Sequence, residues 1–115
     1  MNSEEFVKVV KLVVSDAATA DVISVLDAPP GRKPARELLK LSQFYNMQSA
    51  DDKQRIDHII RRSVDEAVFG FLCVLDGVRA IENGDDKGAI SLLYEGEAIV
   101  KLNADGDLHD LYNQS

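Results

Sequence analysis

Two histidines and one cysteine are the side chains of this sequence that are most readily used in catalysis. His58 and His109 are the only histidines, and Cys73 is the only cysteine. A nucleophilic enzyme needs a thiol or hydroxyl within hydrogen-bond reach of a base that a third group orients. His58 falls on the charged face of a predicted helix, far along it from Cys73, whose neighbours are apolar. Because of this separation, we do not expect a nucleophilic enzyme. A zinc site needs about four Cys or His ligands, and one cysteine with two histidines is too few, so we do not expect a zinc protein either.

The spacing of Asn103, Asp105 and Asp107 suggests a calcium-binding loop. The glycine that such a loop requires after its third ligand is missing, because Leu108 stands there and Gly106 lies between the ligands instead. Glycine-rich nucleotide-binding motifs are also absent from the sequence. We therefore expect no metal and no cofactor.

Asp76 and Arg79 are the polar residues nearest to the predicted core. A buried aspartate without a partner is costly, and Arg79, three residues further along a helix, can pair with it. We expect an internal ion pair between them. The alternative is that the two side chains line a pocket or contact a partner.

The acidic residues are concentrated in the second half of the chain. The net charge is −7, and residues 1–64 hold ten Lys and Arg against nine Asp and Glu, whereas residues 65–115 hold three against eleven. An acidic half repels phosphate backbones, which argues against nucleic acid, and it attracts a basic protein. The alternative is that the charge serves solubility alone. With Asp76 and Arg79, the residues expected to contact a partner are Glu95, Glu97, Asp105, Asp107 and Asp110.

The first helix is predicted from a cap and from apolar spacing. Asn2 or Ser3 can cap it, and apolar residues from Phe6 onward follow a helical period. This period changes face near residues 15–21, where we expect a bend or restart. Because Val, Ile and Thr are frequent there, a strand is the alternative.

A surface loop and a second helix follow. The prolines and the glycine of residues 27–34 predict a turn, and the spacing of a phosphate-binding loop is missing. Residues 35–47 then have the spacing of an amphipathic helix. Its inward stripe is predicted to consist of Leu38, Leu41, Ser42 and Tyr45.

A long helix is predicted from its cap, Ser49, to about Glu82. Residues 67–75 are uncharged and mostly apolar, so this part should lie at the centre of the core. A kink or break at Gly70 or Gly77 is expected because the helix would be longer than a small domain is wide. The alternative is a hairpin turn at Asp76 and Gly77. The continuous apolar face is predicted to consist of Ile56, Ile60, Val64, Ala67, Phe71, Leu75 and Val78.

The C-terminal part has the pattern of a hairpin and a short helix. Apolar residues alternate from Ile90 to Leu102 around a turn at Glu95 and Gly96, which predicts two antiparallel strands. Residues 108–113 can close over the core as a last helical turn. We therefore expect residues 1–115 to form a single α+β domain, mainly α, with helices bundled around a long central helix and a C-terminal β-hairpin.

The sequence favours a cytoplasmic protein. Its longest uncharged run is well short of the roughly 20 residues that span a bilayer, and the first residues are acidic where a signal peptide is basic. The single cysteine, Cys73, suits a buried thiol in a reducing compartment.

The block VFGFLCVLDGVRAIE at residues 68–82, together with LHDLYN at residues 108–113, resembles small uncharacterised bacterial proteins of the kind encoded as immunity partners of polymorphic toxins. The resemblance implies a non-enzymatic acidic protein that neutralises a basic toxin domain by binding it. The alternative is a self-associating structural or regulatory protein, in which the long helix and the hairpin edge form a homodimer.

Overall fold

The chain folds into five α-helices, a π-helical segment and one short hairpin. The computed structural model describes residues 1–115. In chain order the elements are α1 (Ser3–Val10), the π segment (Lys11–Asp16), α2 (Ala17–Asp27), α3 (Arg36–Asn46), α4 (Ala50–Leu75), β1 (Leu93–Glu95), β2 (Ile99–Lys101) and α5 (Leu108–Asn113). The fold class is α+β and mainly α, as predicted, and α4 contacts α2, α3, α5 and the π segment. None of the helices combines the length and apolar character needed to cross a membrane.

The first helical stretch is continuous, is capped by Asn2, and contains the π segment at its centre. A π-helical turn takes up about one extra residue, so the side chains that follow are shifted around the helix axis. Val7, Ser15 and Thr19 are consequently all buried. This shift explains the change of face predicted near residues 15–21, and the strand alternative is wrong.

α3 occupies the predicted range 35–47 apart from its terminal residues. Ser42 and Tyr45 are buried, as predicted, and the hydroxyl of Tyr45 donates a hydrogen bond to Asp57 of α4 at 2.8 Å. Leu41 is exposed, so its predicted place in the inward stripe is wrong. The reason is that the neighbouring helices cover α3 only on the side of Tyr45.

α4 begins as predicted but ends earlier. The Ser49 side chain caps it by accepting a hydrogen bond from the backbone N–H of Asp52. At the other end Gly77 has φ +77°, and the N–H groups of Gly77 and Val78 donate to the carbonyls of Val74 and Cys73 at 3.1 and 3.0 Å. This is a Schellman motif, which ends a helix at a left-handed glycine. The helix therefore stops at Leu75, and the break expected at Gly70 or Gly77 lies at Gly77. The continuation of the helix to Glu82 and the hairpin alternative are both wrong.

The buried face of α4 differs from the predicted one in its C-terminal half. Phe71 is 62% exposed, whereas Leu72 is 2% exposed and Cys73 is also buried. Leu72 belongs to the main core with Val7 of α1 and two residues of α5. α5 thus packs against the side of α4 that carries Leu72, with Val7 of α1 in the same core, and the side that carries Phe71 stays uncovered.

The hairpin and the last helix close the fold. β1 and β2 pair antiparallel with Tyr94 opposite Val100, and each strand has only three residues, fewer than predicted. α5 packs against α1 and α4, and its Leu108 and Tyr112 are buried in the main core. The predicted closure of the core by residues 108–113 is confirmed.

Candidate functional site

Asn103 joins the hairpin to the end of α4. Its buried side-chain amide donates to the backbone carbonyls of Leu75 at 2.6 Å and Ile90 at 2.8 Å, and its Oδ1 accepts from the N–H of Leu92 at 2.9 Å. All of its polar atoms are therefore used within the fold. The structure also contains no group of three or more His, Cys, Asp or Glu side chains placed to hold a metal ion.

Asp76 pairs with His109, and the predicted ion pair between Asp76 and Arg79 is wrong. Asp76 Oδ2 accepts from the backbone N–H of His109 at 2.9 Å and lies 2.5 Å from its ring Nδ1. Gly77 ends the helix, and the chain beyond it carries the guanidinium of Arg79 back to Gly70, where it occupies the space of a missing Cβ. α5 brings His109 to the carboxylate instead. The Asp76 side chain is fully buried and is not available to a partner.

A histidine oriented by a buried aspartate is the arrangement in this fold that most resembles catalytic machinery. In a hydrolytic triad the second ring nitrogen faces a nucleophile. Here Nε2 of His109 lies 3.5 Å from a carboxylate oxygen of Asp110. Both ring nitrogens of His109 therefore face carboxylates, and the pair formed by Asp76 and His109 holds α5 against the end of α4. Asp76 Oδ1 is buried and has no hydrogen-bond partner, and the same is true of Asp107 Oδ1.

A second polar network, missed by the sequence analysis, joins three elements around Tyr112. The Tyr112 hydroxyl donates to Asp65 Oδ1 at 2.7 Å and lies 2.5 Å from Ser15 Oγ. Because the one hydroxyl proton of Tyr112 is used on Asp65, Ser15 is the donor in the second contact. Lys11 Nζ lies 3.3 Å from the same Asp65 oxygen and 4.4 Å from the centre of the Tyr112 ring. The only signal in the sequence was the change of helical face around Ser15.

The electrostatics of this network keep it in one protonation state near neutral pH. Burial and the neighbouring Asp65 carboxylate raise the pKa of Tyr112 to about 12. Burial opposes ionisation of Asp65, but the hydrogen bonds from Tyr112 and Lys11 outweigh it and lower the pKa of that carboxyl. Tyr112 is thus a proton donor and Asp65 an acceptor, and the phenol is not a base.

The predicted partner-contacting acids fall into two groups. Glu95, Glu97, Asp105 and Asp110 are exposed, on the hairpin, the following turn and α5, and they are called the acidic surface below. Asp107 is half-buried in front of α5. Asp110 approaches His109, whereas the other three members of the acidic surface form no ion pair.

The three basic residues of the acidic half gather at one groove. Its volume is about 520 Å³, and it lies between the end of α4 and the segment that leads to the hairpin. Residues 88–100 and 102–115 contain no lysine or arginine, so most of the hairpin and all of α5 carry acids without bases between them. Besides apolar side chains and glycines, the groove is lined by these three basic residues, Arg79, Lys87 and Lys101, and by Asp76, Glu82 and Asn103.

No protein-family model, curated protein or solved structure matches this chain.

Proposed function

We propose that this protein is a non-enzymatic binding protein whose acidic surface holds a basic protein, as an immunity protein holds its toxin domain. The observation that carries the proposal is that Glu95, Glu97 and Asp105 are exposed and form no ion pair, and that Lys101 is the one lysine or arginine in residues 88–115. Unpaired charges of one sign create a potential that attracts and orients an oppositely charged partner. Phosphate backbones would be repelled by the same potential, so the partner is not a nucleic acid.

Two further observations support a binding role. The acid–base groups with the most organised surroundings, His109 and Tyr112, are both engaged in contacts between helices. The two segments that resemble immunity proteins, residues 68–82 and 108–113, are in contact through Asp76 and His109. We place the protein in the cytoplasm, where reducing conditions suit the buried thiol of Cys73.

The test is the association rate with the purified product of the adjacent gene, measured at low and moderate salt. Reversing the charges of Glu95 and Glu97 to lysine should slow association about tenfold at low salt and weaken its dependence on salt, because charges at an interface rim act on the encounter rate. The matched control reverses Glu4 and Glu5, which are exposed on α1. This control makes the same change in net charge.

The control decides between a specific surface and a general charge effect. Equal slowing by both pairs of substitutions would show that net charge alone matters, and it would remove the acidic surface from the proposal. Absence of any complex between the unaltered protein and the adjacent gene product would overturn that product as the partner.

A further inference from the structure

The groove beside the end of α4 brings together every lysine and arginine of residues 65–115. Arg79 follows α4, Lys87 lies in the segment that leads to the hairpin, and Lys101 belongs to β2. The three residues are well separated in the chain, so the fold produces their meeting at one groove. The half of the chain that is acidic overall is therefore basic at this place.

The positive charges of the groove are not neutralised within the chain. None of the three basic side chains forms an ion pair. The two carboxylates in the lining are used inside the fold, because Glu82 Oε1 accepts from the backbone N–H of Gly88 at 3.1 Å and Asp76 is held by His109. The lining thus offers cations to an external anion, while its carboxylates are already engaged.

The walls of the groove are fixed by contacts within the chain. The Asn103 side chain donates to the carbonyls of Leu75 and Ile90, and it thereby ties the end of α4 to the segment that leads to the hairpin. The contact between Glu82 and Gly88 closes the loop that carries Lys87. Small-molecule sites are mostly pre-formed in this way, and a ligand then pays little for ordering the chain.

The groove also exposes apolar side chains beside these cations. Val78, Ile81 and Ile90 line it and are 60%, 64% and 39% exposed. Its volume of about 520 Å³ lies within the range of roughly 300–1,000 Å³ that is usual for small-molecule sites. An inorganic anion would leave the apolar side chains in water, and an uncharged apolar molecule would leave the lysines unused. A ligand that has both an apolar body and a negative charge uses both features.

We propose that this groove binds a small organic anion, with Lys87 and Lys101 at its charged group and Val78 and Ile81 against its apolar body. A single negative charge on the ligand balances the three basic and two acidic residues of the lining. No member of the acidic surface lines the groove. The site is therefore separate from the surface proposed for a basic protein, and it stands whether or not such a protein binds.

Titration with naphthoate, an apolar ring that carries one carboxylate, tests the site. Amide NMR spectra of the isotope-labelled protein should show saturable shifts at Gly77, Gly88 and Lys101, with a dissociation constant of about 1 mM or lower. Acetate supplies the charge without the ring, and naphthamide supplies the ring without the charge. Each should bind at least about tenfold more weakly than naphthoate, because it uses only one feature of the groove.

A double variant tests the role of the lysines. Lys87→Gln combined with Lys101→Gln changes two exposed side chains and should weaken naphthoate binding at least about tenfold, while naphthamide binding stays unchanged. The matched control combines Lys33→Gln with Lys40→Gln, two exposed lysines of the loop before α3 and of α3 itself. The control makes the same change in net charge and should bind naphthoate like the unaltered protein.

The NMR spectra and the control assign a meaning to each result. The proposal would be overturned by the absence of shifts at about 10 mM naphthoate, by shifts that lie mainly outside the groove, or by equal binding of naphthamide. Equal weakening by both pairs of substitutions would show a general charge effect and would also overturn it. If circular dichroism shows that the double variant does not fold, the two single variants decide in its place, and unchanged naphthoate binding by both would refute the site.

Discussion

Tyr112 in the last helix donates a hydrogen bond to Asp65 in the middle of α4 at 2.7 Å. The two residues are 47 positions apart in the chain, and the same phenol oxygen contacts Ser15 of the π segment. One hydroxyl group therefore connects the N-terminal helical stretch, the long helix and the C-terminal helix.

Removing this hydroxyl should destabilise the fold. Tyr112→Phe leaves the half-buried Asp65 carboxylate and the buried Ser15 hydroxyl short of a partner, and we expect a loss of about 1–3 kcal/mol in the free energy of unfolding. Tyr94→Phe is the control, because Tyr94 is exposed on β1 and its hydroxyl makes no hydrogen bond within the protein. Urea unfolding followed by circular dichroism measures both. Equal losses would mean that the network does not stabilise the fold.

Stability should fall at both ends of the pH scale. The pKa of Asp65 is lowered in the folded state, so its contribution is present above the unfolded pKa of about 4 and is lost as the pH falls through the folded value. The pKa of Tyr112 is raised from 10.0 to about 12, so its contribution is present below pH 10 and is lost as the pH rises toward 12. Tyr45, whose pKa is raised by its hydrogen bond to Asp57 and by burial, adds to the alkaline loss.

Urea unfolding repeated across the pH range measures this dependence. Asp65→Asn should flatten the acidic side, and it should also weaken the alkaline loss because the Asp65 carboxylate helps to raise the pKa of Tyr112. Tyr112→Phe should reduce the slope on the alkaline side. An acidic profile that is the same with and without the Asp65 carboxyl would show that other groups control acid unfolding.

Adjacent residues of α4 should respond very differently to truncation. Leu72→Ala removes a side chain from the main core and should cost about 2–5 kcal/mol in unfolding free energy. Phe71→Ala removes a larger side chain that is mostly in solvent, and it should cost less than about 1 kcal/mol. Thermal or urea melts of the two variants check this order. A larger loss for Phe71→Ala would mean that the opposite side of α4 is the buried one.

The helical segments and their breaks could be predicted from the sequence because their causes are local. Ser49 caps α4 through its own side chain and the next turn, and the proline-rich segment at residues 27–34 cannot continue a helix. The end of α4 also has a local cause, the glycine at position 77, although the apolar spacing continues through it. A left-handed glycine with its capping hydrogen bonds ends a helix regardless of the pattern that follows.

The candidate site could be predicted only in part. The exposure of Glu97 and Asp105 follows from their place in turns, and that of Glu95 from its place at the end of β1 beside a turn, since turns lie at the surface. The partner of Asp76 did not follow from spacing, since Arg79 is three residues away in the chain and His109 is 33. Local spacing favours the near residue, whereas the contact depends on where α5 packs.

The sequence by itself thus determined which segments are helical, where most of them begin, and that the second half is acidic. The tertiary structure decided which side of α4 is buried, which groups pair within the core, and which apolar residues stay in water. Phe71 and Leu72 show the reason, since both are apolar and adjacent, and only the packing of α5 on one side of α4 separates them. Helix formation depends on neighbours within about one turn, whereas burial depends on elements that are distant in the chain.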